Sequence, residues 1–400
     1  MGLLGAILAI HGMLFWHNWH FARQGYSDFT IFYTAGTIVR RGLGHHLYDL
    51  AQQYQVQQSF ASGVQIRNGP LPYNHPAFEA LLFVPLSRLD YATAYVVWDL
   101  INLGILAVLP FLLRPQISVM QRASPLLWLL VLLAFFPVLA TLMQGQDVIL
   151  LLLLYTLAFA ALKRNDERLA GLWLGLGLFR FHLIIPLVLI LLAWKRWKTI
   201  KSFLLTAAVL AATSLLVTGW SEALCYPAYV LHLESSLGRG AIFPAVMPNL
   251  RGLLEGWPRA HDFQNLLSGV TIAVSFGLLL WVSAAGRGRK PFPYAFDLQF
   301  SLATVATLLV CYHAYAYDLS ILIIPVFLLV SYVREARRLR SSGIMFLLLP
   351  VAVLFCTPFY ILLGFRSDHL NLLAAVELLW LWGIRTEIAV AATVWEGRPS

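Results

Sequence analysis

Long apolar segments alternate with short polar ones along almost the whole chain. A helix rises 1.5 Å per residue, so about 20 apolar residues cross a hydrocarbon core of about 30 Å. Segments that reach or approach this length include residues 91–113, 125–143, 147–162 and 344–363. The pattern therefore predicts an all-α polytopic membrane protein.

Three apolar segments depart from the simple pattern. Residues 3–16 are short, with no basic region before them and no small-residue cleavage site after them, which predicts a retained helix rather than a signal peptide. Residues 76–86 are too few to span. Arg180 and His182 interrupt the apolar run 169–194, which predicts two short helices there. Ionisable groups at this depth are costly unless they face a cavity or a partner, so the break is a candidate site.

The charge distribution predicts the topology. The chain is 60% hydrophobic and 12% charged, with a net charge of +9. Basic residues cluster in short loops, as expected of cytoplasmic loops, at 114–122, 163–168, 195–201, 287–290 and 334–340. This alternation predicts about twelve spans with both termini in the cytoplasm, provided that 76–86 does not cross. If that segment does cross, the first loop moves inside.

Two long loops fall on the outer side, at about residues 17–90 and 219–264. Each is too short to form a large domain of its own. We expect them to form short amphipathic helices that lie on the membrane and cover a cavity between the spans. Residues 1–400 are therefore interpreted as a single transmembrane domain.

This topology places many polar side chains on one face. The planar guanidinium of arginine suits phosphate oxygens, and a carboxylate near a hydroxyl can act as a general base. These polar residues together therefore favour a substrate that carries sugar and phosphate. The outer-side residues are Asp28, Asn74, His75, Gln144, Gln146, Arg180, His182, Arg251, His313, Asp318, Arg366 and His369.

The same residues also have structural interpretations. Asp28 would cap a helix, Arg180 would snorkel to the interface, and Asp318 would pair with an intramembrane cation. The histidines would join helices, and Tyr33 is either a packing residue or a surface for a sugar ring. The sequence has no Asp-x-Asp motif for a nucleotide-bound metal, and its three cysteines are far apart in the sequence.

An ordered series of short motifs adds a resemblance. The series resembles glycosyltransferase family 87, the polyprenyl-phosphate-mannose-dependent mannosyltransferases of the GT-C superfamily, along nearly the whole chain. It runs through Asp28-Phe29, Tyr33, Gly42, Leu47-Tyr48, Tyr73-Asn74-His75-Pro76, Val84-Pro85-Leu86, Trp98, Gln144-Gly145-Gln146, Ala170-Gly171-Leu172, Arg180 before Pro186, and Asn249-Leu250-Arg251-Gly252.

The resemblance implies a GT-C fold and an inverting transfer of a hexose, expected to be mannose, from a polyprenyl phosphate to a lipid or glycan acceptor. The reaction would occur on the extracytoplasmic side of a bacterial plasma membrane, with Asp28 as the general base. Arg180, where relatives often have lysine, would bind the donor phosphate. The turn 312–318 departs from the family pattern, because its histidine lies upstream and an aspartate ends it.

Other roles follow from the outer-face grouping and this resemblance together. His182 and His313 would assist Arg180 at the donor phosphate. Substrate contacts would come from Tyr33, Asn74, His75, Gln144, Gln146, Arg251 and Asp318. No cofactor, metal or nucleic acid is expected.

Two other classes of function remain open from the sequence. A transporter or flippase of lipid-linked saccharides would also need a polar cavity among many spans, but transporters tend to carry internal repeats, and no convincing repeat is present. A structural or assembly subunit without activity is the third possibility.

Overall fold

The computed structural model describes residues 2–64, 69–235, 243–257, 263–285, 292, 294–336 and 341–396, which form helices and no strands. The helices of the first half are α1 Gly2–Phe21, α2 Phe29–Arg40, α3 Leu50–Ala61, α4 Ala77–Phe83, α5 Tyr91–Leu113, α6 Pro125–Leu133, α7 Phe136–Gln144, α8 Val148–Lys163 and α9 Glu167–Leu176. Those of the second half are α10 Phe181–Ala193, α11 Trp197–Ser235, α12 Leu250–Glu255, α13 Gln264–Ala285, α14 Ala295–Val310, α15 Ile323–Glu335, α16 Ser341–Leu354, α17 Thr357–Ile361 and α18 Leu373–Glu396.

The described helices confirm the prediction of an all-α protein with several membrane spans. Five are long and apolar enough to cross a membrane, and two bent pairs raise the number to seven if each pair is one span. The five are Tyr91–Leu113, Glu167–Ala193, Trp197–Glu234, Asn265–Ala285 and Ala316–Glu335. The figure of about twelve spans stays a prediction.

Apolar runs in the sequence located the helices but not their bends. The span predicted at 91–113 coincides with α5. The run 125–143 instead forms α6 and α7, which meet at 69°. Pro137 lies in the first turn of α7, where its missing N–H costs nothing, so the helix restarts there. The run 344–363 is likewise bent, by 64°.

The run 169–194 forms two helices, as predicted. A 3-10 turn at Gly177–Arg180 joins α9 to α10. Small residues let α9 approach α11 closely: a Cβ on Gly171 would lie 2.2 Å from the carbonyl oxygen of Thr199, and one on Gly175 would lie 2.5 Å from the Cβ of Thr206. These glycines are therefore packing positions between the two helices.

The first long loop is more deeply packed than expected. Helix α2 is buried on every side along Phe29–Ile38 and is not an amphipathic surface helix. Its Phe32 stacks on Phe83 of α4 with the ring centroids 4.7 Å apart, and its Phe29 meets Tyr95 of α5 at 5.4 Å. The apolar run that contains α4 is too short to span, as predicted.

The second long loop is partly helical. Helix α11 continues through the break at Gly219 to Ser235, so the start of the predicted loop 219–264 extends the preceding helix. The short α12 follows at Leu250–Glu255. Residues 236–242 and 258–262 of this loop lie outside the described part of the chain.

The predicted basic loops gather at one end of the molecule. Lys163 Nζ contacts the carbonyl oxygen of Gln116 at 2.6 Å and Asp297 Oδ1 at 2.8 Å, while Arg196 pairs with Glu167 at 3.1 Å. Helix α8 runs from this end to Asp147, which lies beside the polar cavity described below. The loop 287–290 and residues 337–340 are outside the described residues.

Candidate active site

A cavity of about 310 Å³ collects polar side chains from distant parts of the chain. The residues predicted for the outer face that line this cavity are Asp28, Asn74, His75, Gln146, Arg180, His182 and His313. Apolar side chains complete the wall, among them Ile31, Leu71, Phe179, Phe181, Leu231 and Leu233. Seven of the twelve residues predicted for the outer face therefore share one cavity.

Asp28 presents a half-buried carboxylate to this cavity. Helix α2 begins directly after it, but the carboxylate makes no capping hydrogen bond to the first turn. Instead, Gln146 Nε2 donates to Asp28 Oδ2 at 2.8 Å, and the backbone N–H of Asp28 donates to Gln144 Oε1 at 3.2 Å. The interpretation of Asp28 as a helix cap is wrong.

A left-handed turn brings Gln146 to the cavity. Gly145 ends α7 with φ at +60°, which favours glycine, and a Cβ there would lie 2.7 Å from the Cβ of Phe29. Trp98 Nε1 donates to the carbonyl oxygen of Gly145 at 3.0 Å. Packing thus fixes the direction in which Gln146 and Asp147 leave this turn.

Arg180 is buried and held on three sides. Its Nε donates to Asp147 Oδ1 at 2.7 Å, its Nη1 donates to Asp318 Oδ1 at 3.1 Å, and its Nη2 donates to Gln146 Oε1. The carboxylates of Asp147 and Asp318 thus oppose the charge of Arg180. The sequence did not reveal that both would contact it. Asp318 is the partner of an intramembrane cation, as one interpretation predicted.

His75 belongs to a second buried cluster beside Arg180. Its Nδ1 lies 2.9 Å from Glu79 Oε2 and 3.8 Å from Asp147 Oδ2. Burial lowers the pKa of His75 to about 3 and raises the pKa of Glu79 to about 7. A histidine nitrogen and two carboxylates within 4.8 Å of one another have the composition of a metal-binding site.

Two charged residues, Glu234 and Arg251, hold His313 in place. Its Nδ1 lies 3.0 Å from Glu234 Oε1, and Arg251 Nη1 donates to Glu234 Oε2 at 2.6 Å. The Arg251 guanidinium also lies 3.9 Å from the ring centroid of Tyr312. On the cavity side, the rings of His313 and His182 are 5.9 Å apart.

Several predicted site residues lie one contact away from the cavity. Gln144 holds the backbone of Asp28, Asp318 holds Arg180, and Arg251 holds Glu234. The hydroxyl of Tyr33 donates to the carbonyl oxygen of Leu89 at 2.8 Å. Direct substrate contacts of these four residues stay predictions.

Two further outer-face residues lie apart from the cavity. Arg366 lines a separate apolar groove with Ile10 and Thr357. His369 packs on Trp257, with the ring centroids 5.2 Å apart. The fold does not bring either of them to the cavity, and their position on the outer face stays a prediction.

Sequence reasoning missed Glu79 and Asp147 as members of the site. Glu79 falls inside the short apolar run 76–86, and Asp147 begins a span, so neither was singled out. The spacing of His75 and Glu79 could have indicated Glu79. The two residues are four positions apart, which places side chains on the same side of a helix.

A family model described as Glycosyltransferase family 87 matches residues 73–311, more than half of the chain. The matched range includes His75, Gln146, Arg180 and Arg251, whereas Asp28 and His313 lie outside it. No curated protein and no solved structure matches the chain.

Proposed function

The chain belongs to glycosyltransferase family 87, and from this premise we propose that it transfers a hexose, with mannose as the expected sugar, from a polyprenyl phosphate to a lipid or glycan acceptor. The observation that carries the proposal is the position of Asp28. Its carboxylate lines the same cavity as Arg180, His182 and His313, so an acid and several nitrogen donors face one space.

Asp28 acts as the general base in this reaction. It accepts the proton of the acceptor hydroxyl while that oxygen attacks the anomeric carbon. The bond from that carbon to the phosphate oxygen breaks on the opposite face of the sugar, and the polyprenyl phosphate leaves with the electron pair. A single displacement inverts the anomeric centre and needs one carboxylate at the reacting atom, unlike the pairs of glycoside hydrolases.

The two histidines are the groups best placed to receive the leaving phosphate. His182 and His313 lie side by side on the cavity wall, and the guanidinium of Arg180 is already bound to Asp147 and Asp318. Donors aimed at developing negative charge stabilise a transition state. We therefore assign Arg180 chiefly to positioning Gln146, and through it Asp28.

The apolar part of the cavity suits the prenyl chain. Phe179 and Phe181 lie beside Arg180 in the sequence, and Leu231 and Leu233 face the cavity from α11. A lipid chain that lies along these residues would leave its phosphate near the histidines. The site is at the end opposite the basic loops, so we place it on the extracytoplasmic side of a bacterial plasma membrane.

Transfer by purified protein tests the proposal. The full-length protein receives radiolabelled polyprenyl-phosphate mannose and a lipid extract from its host. We expect labelled product from the wild type and a loss of about 10²–10⁴-fold in Asp28→Asn. Asp49→Asn is the control, because Asp49 is an exposed helix cap outside the cavity.

Two results would contradict the proposal in different ways. Full transfer by Asp28→Asn would remove the base assignment and leave the transferase. If the wild type transferred no sugar from any polyprenyl phosphate, a transporter of lipid-linked saccharides would be favoured instead.

A further inference from the structure

His75, Glu79 and Asp147 form a compact group of metal-ligand atoms at the edge of the cavity. All three side chains are more than nine-tenths buried, and their donor atoms lie within 4.8 Å of one another. His75 also lines the cavity, so the group borders the space that the donor would occupy.

Each carboxylate has one oxygen anchored and one without a partner. Glu79 Oε2 accepts from the hydroxyl of Tyr73 at 3.1 Å, and Asp147 Oδ1 accepts from Arg180. Glu79 Oε1, Asp147 Oδ2 and His75 Nδ1 make no hydrogen bond of good geometry to a donor or acceptor among the described residues. They instead lie against one another, with His75 Nδ1 2.9 Å from Glu79 Oε2 and the two carboxyl groups within hydrogen-bond reach. Buried polar atoms are normally satisfied, so three such atoms together indicate a missing ligand.

The spacing fits a small cation. Zn²⁺ bonds to nitrogen and oxygen are about 2.0–2.2 Å, which separates neighbouring ligand atoms by about 3–4 Å. His75 Nδ1 lies 2.9 Å from Glu79 Oε2 and 3.8 Å from Asp147 Oδ2. One nitrogen and two carboxylates suit Zn²⁺ or Mn²⁺ better than Ca²⁺, which prefers oxygen ligands.

The charge of the buried cluster also favours a bound cation. The carboxylates of Asp147 and Asp318 contact one guanidinium, that of Arg180, and Glu79 joins this cluster through His75. If all three are ionised, a divalent cation would neutralise the excess. A proton shared between Glu79 and Asp147 would lower the negative charge, but only a bound cation would also place a positive centre beside a cavity proposed to receive a phosphate.

We propose that His75, Glu79 and Asp147 bind one divalent transition-metal ion, with its open coordination positions toward the cavity. The metal-free alternative is a proton shared between the carboxyl groups of Glu79 and Asp147. The ion's role as a ligand of the donor phosphate rests on the proposed function, whereas the binding itself does not. This departs from the expectation, made from the sequence, that no metal is needed.

Mn²⁺ binding to the full-length protein in lipid nanodiscs tests the site without substrate. The protein is stripped with a chelator and dialysed, and free Mn²⁺ is measured by electron paramagnetic resonance during titration. We expect about one equivalent to bind and Zn²⁺ to displace it. Glu79→Gln and Asp147→Asn should weaken binding by about 100-fold or more, and Tyr73→Phe by about 10–100-fold.

The control is Glu255→Gln, because Glu255 is also a buried carboxylate but pairs with Arg251. It should bind Mn²⁺ like the wild type. If the wild type binds no ion, or if Glu79→Gln binds as tightly as Glu255→Gln, the site does not exist. The wild-type titration and Tyr73→Phe decide the matter even if Asp147→Asn fails to fold.

The two proposals fail separately. A protein that binds Mn²⁺ at this site but transfers no sugar would contradict the transferase alone. A protein that transfers sugar but binds no Mn²⁺ in the titration would contradict the metal site alone.

Discussion

Gln146 Nε2 lies 2.8 Å from Asp28 Oδ2, and the oxygen of the same amide accepts a hydrogen bond from Arg180. One side chain therefore connects the proposed base to the buried ion pairs behind it. The left-handed turn at Gly145 fixes the position of the Gln146 backbone from which this side chain extends. The position of Asp28 is thus determined by α7 and α10 as well as by its own helix.

Replacing Gln146 should slow catalysis more than it weakens binding. Gln146→Met keeps the size of the side chain but removes both hydrogen bonds. A base misplaced by about 1 Å costs up to about 100-fold, so we expect kcat to fall by about 10–100-fold with KM for the donor changed much less. Steady-state transfer assays measure both constants.

The matched control is Asn371→Leu, which removes a buried amide that bonds Gly252 away from the cavity. It should lower thermal stability and leave kcat of the folded protein near the wild-type value. Equal kcat losses in the two variants would mean that Gln146 acts through general stability.

Gly145→Ala should destabilise the protein strongly. The left-handed backbone costs a non-glycine residue about 1–2 kcal/mol, and contact with Phe29 and Tyr95 adds about 1–3 kcal/mol. Gly42→Ala is the control, because Gly42 also has a positive φ but a Cβ there meets nothing within 4 Å. The apparent melting temperature should fall further in Gly145→Ala. A similar fall in both would show that the close contacts relax freely.

Asp28 and Asp49 both precede a helix but should behave in opposite ways. Asp49 accepts hydrogen bonds from the backbone N–H groups of Ala51 and Gln52, whereas Asp28 makes no capping bond. Asp49→Ala should therefore cost about 1 kcal/mol of folding free energy and leave transfer intact. Asp28→Ala should lose transfer with little change in melting temperature. Transfer that survives in Asp28→Ala would contradict its role as the base, whatever the change in melting temperature.

The ion pair of Arg251 with Glu234 should show strong coupling. Arg251→Met leaves Glu234 buried with one fewer cation, at a cost of about 3–5 kcal/mol. The double variant Arg251→Met, Glu234→Gln should recover part of that stability, because Glu234 no longer carries a charge and only Glu255 is left without its partner Arg251. Thermal unfolding of the wild type, both single variants and the double variant gives the coupling. Simple additivity would contradict the pairing.

Cysteine labelling tests which end faces out. Helix α3 packs on the 71–75 turn at the cavity, and Gln55 on its surface is exposed, whereas Gln121 is exposed in the basic loop 114–122. After the exposed Cys225 and Cys356 are changed to serine, an impermeant maleimide should label Gln55→Cys in whole cells. Gln121→Cys should react only after permeabilisation. The reverse pattern would place the site in the cytoplasm.

The length of the apolar segments was enough to predict the fold class. The span at 91–113 was located to the residue because a continuous apolar run of that length has few alternatives. The bend between α6 and α7 was missed, since a proline in the first turn of a helix does not interrupt the hydrophobic pattern.

The sequence singled out several residues that line the cavity but missed the buried carboxylates beside them. Asp28, His75 and Arg180 stood out because charge is rare in this sequence. Glu79 was overlooked because α4 looks like a purely apolar segment. The bonds from Arg180 to Asp147 and Asp318 depend on the packing of helices far apart in the sequence, and no local pattern indicates them.

The length of α8 bears on how deep in the membrane the cavity would lie. With 16 residues, α8 rises about 24 Å between the cavity and the basic end, less than the roughly 30 Å of a hydrocarbon core. Helix α14 has the same length. With the basic end at one membrane boundary, the cavity lies several ångströms below the opposite headgroups. Under the proposed function, the phosphate of a polyprenyl donor would reach the histidines from within the bilayer, and the substrate would not have to leave it.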